Sequence, residues 1–323
     1  MKKKILILGG TMFAGRILVE KLITQNKYDL TLFNRGKSNA NLFPKIKQLH
    51  GNRETSDIAQ IYGQHWDVVI DFSGYYPKTF QNLLENLRGN VGRYIFISTI
   101  SVFQMGEKEE QQITESTATL ECSETQQISA LPVAYGEKKA EMERILLAEK
   151  AFDRIILRPS FIYGRYDFTD RFYYWVYRAK RQQKILLLTV KSLALTFVED
   201  LVKGILAAIE IPTHKSIYKV INHTKVLLED VQNITANLLD KEIEIIPATD
   251  EFLKKNELDY YLFPICLPFD LKIDGTAWLK DFNITNTDFI KSLEACMEFY
   301  ETKGWPIPKV GLTPEKEQQL LTG

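Results

Sequence analysis

Tyr135 and Lys139 stand four residues apart in the segment Val133–Leu146. That segment is rich in strong helix formers and carries apolar residues at helical spacing. One helical turn separates the two side chains, so they share a face. A free phenol has a pKa of roughly 10 and is a poor base at neutral pH. A neighbouring ammonium favours the phenolate and lowers that value. Such a pair could take a proton from a hydroxyl or give one to a carbonyl oxygen. Taken alone, the same spacing also describes a packed tyrosine and a surface lysine.

The chain opens on a second signal. Lys4–Leu8 is an apolar run that breaks into Gly9-Gly10-Thr11-Met12-Phe13-Ala14-Gly15. Arg16–Leu22 then restarts with apolar residues at helical spacing. This reads as strand, tight turn and helix, or equally as an ordinary strand-to-helix turn. In a parallel sheet such a turn aims backbone N–H groups and a helix N-terminus at one spot, where a pyrophosphate can bind. The next strand, Tyr28–Phe33, ends in Asn34-Arg35-Gly36-Lys37. Its end lies about 20 residues beyond the glycine turn, where a dinucleotide fold places its ribose-reading residue. A carboxylate there repels a 2′-phosphate and an arginine pairs with one. Asn34 and Arg35 therefore point to NADP over NAD; a solvated basic turn is the plainer alternative.

Further elements must position these residues. Ile46–His50 reads as a short strand, with a helix near Thr55–Tyr62. Trp66–Phe72 reads as a buried strand ending at Ser73-Gly74, and Pro77 opens a helix through Leu87. Gly92–Thr99 is β-rich, and Arg154–Pro159 follows the Tyr135 helix. Strands alternating with helices imply an α/β fold with a doubly wound parallel sheet. Gln104–Ile128 is polar, with the charge run Glu107–Gln112, and reads as a long loop. Ser160–Arg171 is loop-like, and Phe172–Ala179 is aromatic-rich. The aromatic cluster suits a local core, a substrate mouth or a protein contact. Later strands are expected at Ile217–Ile221 and Ile243–Ile246. Helices are expected at Phe197–Glu210, Leu227–Leu239 and Asp288–Thr302. The expected division is 1–165 for the first domain and 166–323 for a smaller α+β region, with strands crossing between them allowed.

The totals narrow the function class. Across 323 residues, 41 Lys and Arg balance 41 Asp and Glu, so bulk charge gives no argument for nucleic acid or an anionic membrane. Three dispersed cysteines suit a reducing compartment, and four dispersed histidines show no metal-ligand spacing. No run approaches a membrane span. The expectation is a cytoplasmic protein without a metal.

Three segments around the Tyr–Lys pair carry a resemblance. Ile97-Ser98-Thr99-Ile100-Ser101-Val102-Phe103 resembles a Ser-Ser-x-x-Val-Tyr segment. Arg158-Pro159-Ser160-Phe161-Ile162-Tyr163-Gly164 resembles Arg-Pro-x-x-x-Tyr-Gly, and Thr196-Phe197-Val198-Glu199-Asp200-Leu201-Val202 is similar to Val-x-x-Asp-Leu-Val. With the glycine turn, their order is similar to the extended or atypical NAD(P)-dependent epimerase/dehydratase group of the short-chain dehydrogenase/reductase superfamily. The turn departs from that group's Gly-x-x-Gly-x-x-Gly, since Met12 takes the middle slot. Its Gly-Gly-Thr-x-Phe-x-Gly-Arg form also resembles atypical members, including plant chloroplast stem-loop RNA-binding proteins.

The resemblance implies a Rossmann-type fold and hydride exchange between substrate and nicotinamide. It places Thr99 in the Ser/Thr slot that polarises the reacting oxygen, with Ser98 and Ser101 as rivals. Thr99, Tyr135 and Lys139 form the implied catalytic set. The implied cofactor set is Gly9, Thr11, Met12, Phe13, Gly15, Asn34, Arg35, Ser73, Gly74, Ser98, Tyr135, Lys139 and Pro159. A nucleotide-sugar or related substrate follows, for which Arg165, Arg171, Arg178 and Arg181 are candidate diphosphate partners. A homodimer through the helices starting at Pro77 and Tyr135 is also implied. The competing reading is a non-catalytic nucleotide-binding protein with a regulatory or RNA-binding role.

Overall fold

Apolar residues on both faces of short strands demand cover on both sides, and the fold supplies it. The computed structural model describes residues 1–105, 110–129, 131–188, 192–212, 215–259, 262–267 and 269–322. Strands β1 (Lys3–Leu8), β2 (Tyr28–Asn34), β3 (Lys47–His50), β4 (Trp66–Asp71) and β5 (Val91–Ile97) come first. β6 (Glu110–Ile113) lies apart from them, and β7 (Asp153–Pro159) returns beside β5. β8 (Phe161–Tyr163), β9 (Lys184–Leu188) and β10 (Leu193–Phe197) form smaller sheets, whereas β11 (Ile217–Val220) pairs with β7. β12 (His223–Val226), β13 (Glu244–Ala248) and β14 (Asp270–Ile273) complete the smaller sheets.

The main sheet has seven parallel strands in the order β11-β7-β5-β4-β1-β2-β3. The chain winds outward in both directions from β1, so a crevice opens at the strands' carboxyl ends between β1 and β4. Side chains alternate between two cores. Ile5 and Ile7 pack with helices α1 (Phe13–Gln25) and, later in the chain, residues 198–210. Leu6 and Leu8 face α2 (Pro77–Leu87). The short helix α3 (Glu124–Ile128) rests on α2 and on α4 (Tyr135–Ala148), which covers the same face.

The second half builds its own core. Helix α5 (Tyr173–Arg181) buries Tyr173, Tyr174, Trp175 and Tyr177, so the aromatic run is core. Helix α6 (Val198–Glu210) returns to pack on α1, and with β11 it brings residues beyond 165 onto the main sheet. Helices α7 (Leu228–Leu238), α8 (Asp250–Lys255), α9 (Thr276–Asp281), α10 (Phe289–Thr302) and α11 (Pro314–Thr322) follow.

Three expectations need correction. The polar segment 104–128 is not structureless: β6 pairs in parallel with β14, and Ser123 caps α3 with a full capping box. Residues 107–109 of its charge run lie outside the described residues. Segment 160–171 contains β8, which pairs with β10. The helix near 55–62 is a 3-10 turn over Ser56–Ile61, capped by the Thr55 side chain. Pairing partners far along the chain create β6 and β8, which local periodicity does not report.

Candidate active site

The crevice is a cavity of about 630 Å³ at the carboxyl ends of β1, β2, β4, β5 and β7. Every residue of the expected cofactor set lines it except Gly74. Gly74 is instead a packing residue: a Cβ there would meet the Phe96 ring at 2.8 Å. The glycine turn is closed to side chains. Gly9 and Gly10 take φ of 105° and 91°, and a Cβ on Gly15 would lie 3.0 Å from the Gly10 backbone. Met12 departs from the motif without strain, because its φ of −133° suits any residue. The left-handed position falls one residue later, on Phe13, at φ 43°. Asn39 donates to the Thr11 carbonyl at 2.8 Å and ties the loop after β2 to this turn.

At the β2 end, Asn34 serves the turn itself. Its Oδ1 accepts from Gly36 N at 2.8 Å and its Nδ2 donates to Gln48 at 3.2 Å. Arg35 is exposed on the cavity wall beside Lys37. Between this end and β4 lies a residue that the sequence analysis did not single out. Arg53 Nη1 donates to Asp71 Oδ1 at 2.7 Å and to Ser73 Oγ at 3.0 Å. Asp71 is fully buried and also accepts from Tyr94 Oη at 2.7 Å. The Arg53 guanidinium holds the Asp71 carboxyl below its ordinary value despite burial, and Asp71 in turn holds Arg53 charged. Arg53 lines the cavity, and its Nη2 is buried with no hydrogen-bond partner among the described residues. A lone arginine after a short strand gives no local signal of such a role; its partner is 18 residues away.

Thr99, Tyr135 and Lys139 all reach the cavity from β5 and α4. Thr99 Oγ1 accepts from Ser101 N and donates to Ser101 Oγ, both at 3.1 Å. Ser98 Oγ is buried without a partner among the described residues. Tyr135 lines the cavity and is 46% exposed. Burial and the nearby Tyr75 phenol push it up to about 12, while a hydrogen bond with Thr99 and the Arg171 charge oppose the rise. Lys139 is not among the groups that act on it. The expected lowering by the lysine is not seen: burial, not Lys139, dominates at this phenol.

Lys139 itself is 2% exposed. Its Nζ donates to the Ile97 carbonyl at 2.9 Å and lies 4.5 Å from the Phe96 ring centroid, 5.1 Å from Tyr75 and 6.0 Å from Tyr135. Burial pulls its pKa down to about 8, with Asp71 resisting.

The four candidate arginines separate. Arg171 lines the cavity. Arg165 pairs with Glu199 and Glu20, and Arg178 is buried against Glu317 of α11. Arg181 lies against the Tyr177 ring and does not line the cavity. Burial on α5 and the distant carboxylates remove all but Arg171 from the mouth. Among the described residues no group of His, Cys, Asp and Glu could hold a metal ion, and no helix is long and apolar enough to cross a membrane.

A family model described as "NAD dependent epimerase/dehydratase family" matches residues 5–222. The chain belongs to this family. A chloroplast stem-loop binding protein of 41 kDa b from Arabidopsis thaliana is 27% identical over 199 residues. That match spans 57% of this chain and 48% of the length of the plant protein. Among solved structures, UDP-glucuronic acid 4-epimerase from Bacillus cereus, in complex with NAD, aligns with a TM-score of 0.69 at 15% identity, covering 94% of this chain and 100% of that one. A dTDP-glucose 4,6-dehydratase from Bacillus anthracis, in complex with NAD, gives 0.69 at 16%, covering 94% and 98%. At such identity these structures show the shared fold. The epimerase/dehydratase family's cofactor fits this cavity on the chain's own terms. The glycine turn leaves backbone room for a pyrophosphate at the α1 N-terminus, and Arg53 Nη2 and Ser98 Oγ are buried polar atoms with bonding capacity to give.

Proposed function

We propose that the protein is an NAD(P)-dependent epimerase, dehydratase or reductase acting on a hydroxyl or carbonyl compound, a nucleotide-sugar or a relative of one. The observation that carries this is the meeting of Thr99, Tyr135 and Lys139 in the cavity that holds the glycine turn. Two solved relatives are described with UDP-glucuronic acid or UDP-glucose together with NAD, which supports the substrate class.

The bound nicotinamide supplies or accepts hydride at the substrate carbon. Tyr135, neutral at pH 7, gives its proton to the carbonyl oxygen in the reducing direction. Thr99 turns its one hydroxyl proton from Ser101 Oγ to the same substrate oxygen. Lys139 Nζ, 6.0 Å from the phenol ring centroid, keeps a positive charge in the crevice without shifting the resting phenol. Arg35, with Lys37 beside it, favours NADP through its pairing with a 2′-phosphate. In this reading residues 1–165 carry the dinucleotide and 166–323 shape the substrate end, with 198–220 returning to the sheet. The protein works in the cytoplasm as a homodimer through α2 and α4. The outward face of α2 carries Lys78, Gln81, Asn82 and Glu85, and α3 would share the contact. Light scattering tests the dimer.

Titration with NADPH and NADH, followed by nicotinamide fluorescence, tests the core of the proposal. NADPH binding, retained in Tyr135→Phe while turnover of any accepted substrate is lost, is the expected outcome. A second reading, a non-catalytic binder of structured RNA, draws on the stem-loop binding relative. Absence of dinucleotide binding and an unaltered Tyr135→Phe phenotype favour that reading.

A further inference from the structure

We infer that the substrate end of the cavity is built for a compound with one oxyanion near its reacting carbon and an apolar body, not for a nucleoside diphosphate. The inference rests on the reading of this cavity as a nicotinamide-dependent site, and of the two substrate classes that reading leaves open it selects the related hydroxyl or carbonyl compound over the nucleotide-sugar.

The charge pattern comes first. A diphosphate needs several cations, and the arginines of the second half are otherwise engaged. Arg165 Nε binds Glu199 at 2.5 Å and its Nη1 binds Glu20 at 2.9 Å. Arg178 is 2% exposed and chelated by Glu317. Arg158 does not line the cavity and is paired with Glu143. Arg171 differs. Its Nε donates to Thr169 Oγ1 at 3.3 Å, and its guanidinium lies 5.6 Å from the Phe161 ring centroid. No carboxylate of the described residues comes within 4.0 Å of it. Its Nη groups are thus left for a ligand, held by one hydrogen bond and one ring. Arg171 and Tyr135 line the same cavity, and the guanidinium charge acts on the phenol. A guanidinium in that setting offers a two-pronged contact to a single carboxylate.

Part of the lining is apolar. Met105, Phe168, Leu267, Phe269 and Leu271 line the same cavity. Phe168 is 58% exposed and stands edge-on to Phe13, 6.4 Å away, as a lip over the glycine turn. A base and ribose pressed against such a wall would lose hydrogen bonds to water without replacement, whereas an aryl or alkyl body gains by burial.

The test uses the full-length protein saturated with NADPH and three probes in ligand-observed NMR or calorimetry: phenylpyruvate, phenylacetone and UDP-glucose. The first two differ only in a carboxylate exchanged for a methyl group. Phenylpyruvate is expected to bind about tenfold or more tighter than phenylacetone and tighter than UDP-glucose. Arg171→Gln should abolish the difference between the two ketones, and Arg171→Lys should keep part of it. Arg171 is exposed, so neither variant threatens the fold. Tighter binding of UDP-glucose, or a ketone difference that survives Arg171→Gln, overturns the inference while NADPH binding stands. Failure to bind NADPH at all overturns the parent reading and this inference with it.

Discussion

Lys139 Nζ donates to the carbonyl oxygen of Ile97, the last residue of β5, at 2.9 Å and lies 6.0 Å from the Tyr135 ring centroid. The family-like pair is present, but the two members are coupled across a ring face and through backbone, not by a direct bond. This arrangement makes Lys139 the group in the crevice whose charge changes nearest physiological pH.

Burial lowers Lys139 to about 8 from an ordinary 10.5. Between those values the unfolded chain binds the proton and the folded one does not, so stability rises with pH across that window. Below about pH 8 both states are charged and the burial penalty is felt in full. Lys139→Met should therefore be more stable than the wild type at pH 7, by an amount on the order of 2–3 kcal/mol. The gap should close by about pH 10.5, and urea midpoints at both pH values read it. A gap independent of pH counts against a buried, titrating lysine.

Arg53 and Asp71 form a buried pair, with 9% and 0% side-chain exposure. Arg53→Met strands a carboxylate in the sheet and should cost about 3–5 kcal/mol. Adding Asp71→Asn should recover most of that loss, since Tyr94 and Ser73 keep hydrogen-bond partners. Urea denaturation of the two variants and the wild type measures the coupling.

Arg35 stands at the β2 end of the cavity with no carboxylate in its immediate turn. Arg35→Glu should weaken NADPH binding by about tenfold or more and leave NADH binding unchanged or improved. Fluorescence titration with each dinucleotide decides it. Equal loss for both would assign Arg35 to the fold and not to the 2′-phosphate.

Arg178 and Glu317 join α5 to α11 across 139 residues of sequence, both with less than 3% side-chain exposure. Ending the chain at residue 312 leaves the guanidinium buried without its carboxylate. A loss of about 3–5 kcal/mol is expected. Glu317→Gln should give a smaller loss, because the amide still accepts from Arg178 and Leu186 N. Thermal and urea unfolding of the two forms separate charge from helix docking.

Much of the scaffold was legible from local pattern. Pro77 and the spacing of Phe80, Leu83, Leu84 and Leu87 mark α2 over the bounds it adopts. The run Trp66–Asp71 announces a buried strand, and Gly9 to Gly15 announces the turn that opens the site. The strands at Lys184–Leu188 and Leu193–Phe197 went unread, because each exists through a partner outside its neighbourhood: β13 for the first, β8 and β12 for the second. Gly74 illustrates the same limit at the site. Its type fits a phosphate loop, but its neighbour is the Phe96 ring on an adjacent strand.

By itself, the sequence determined the alternation of strands and helices, the glycine turn and the one-turn spacing of Tyr135 and Lys139. These depend on φ/ψ preference and on contacts within a few residues, so they are written locally. The tertiary structure decided which charges are available. Arg178 is spent on Glu317, Arg165 on Glu199 and Glu20, Arg53 on Asp71, and Lys139 on Ile97, while Arg171 faces the cavity. Electrostatic partnership depends on distance in space and on the burial that removes water, and neither is carried by the order of residues along the chain.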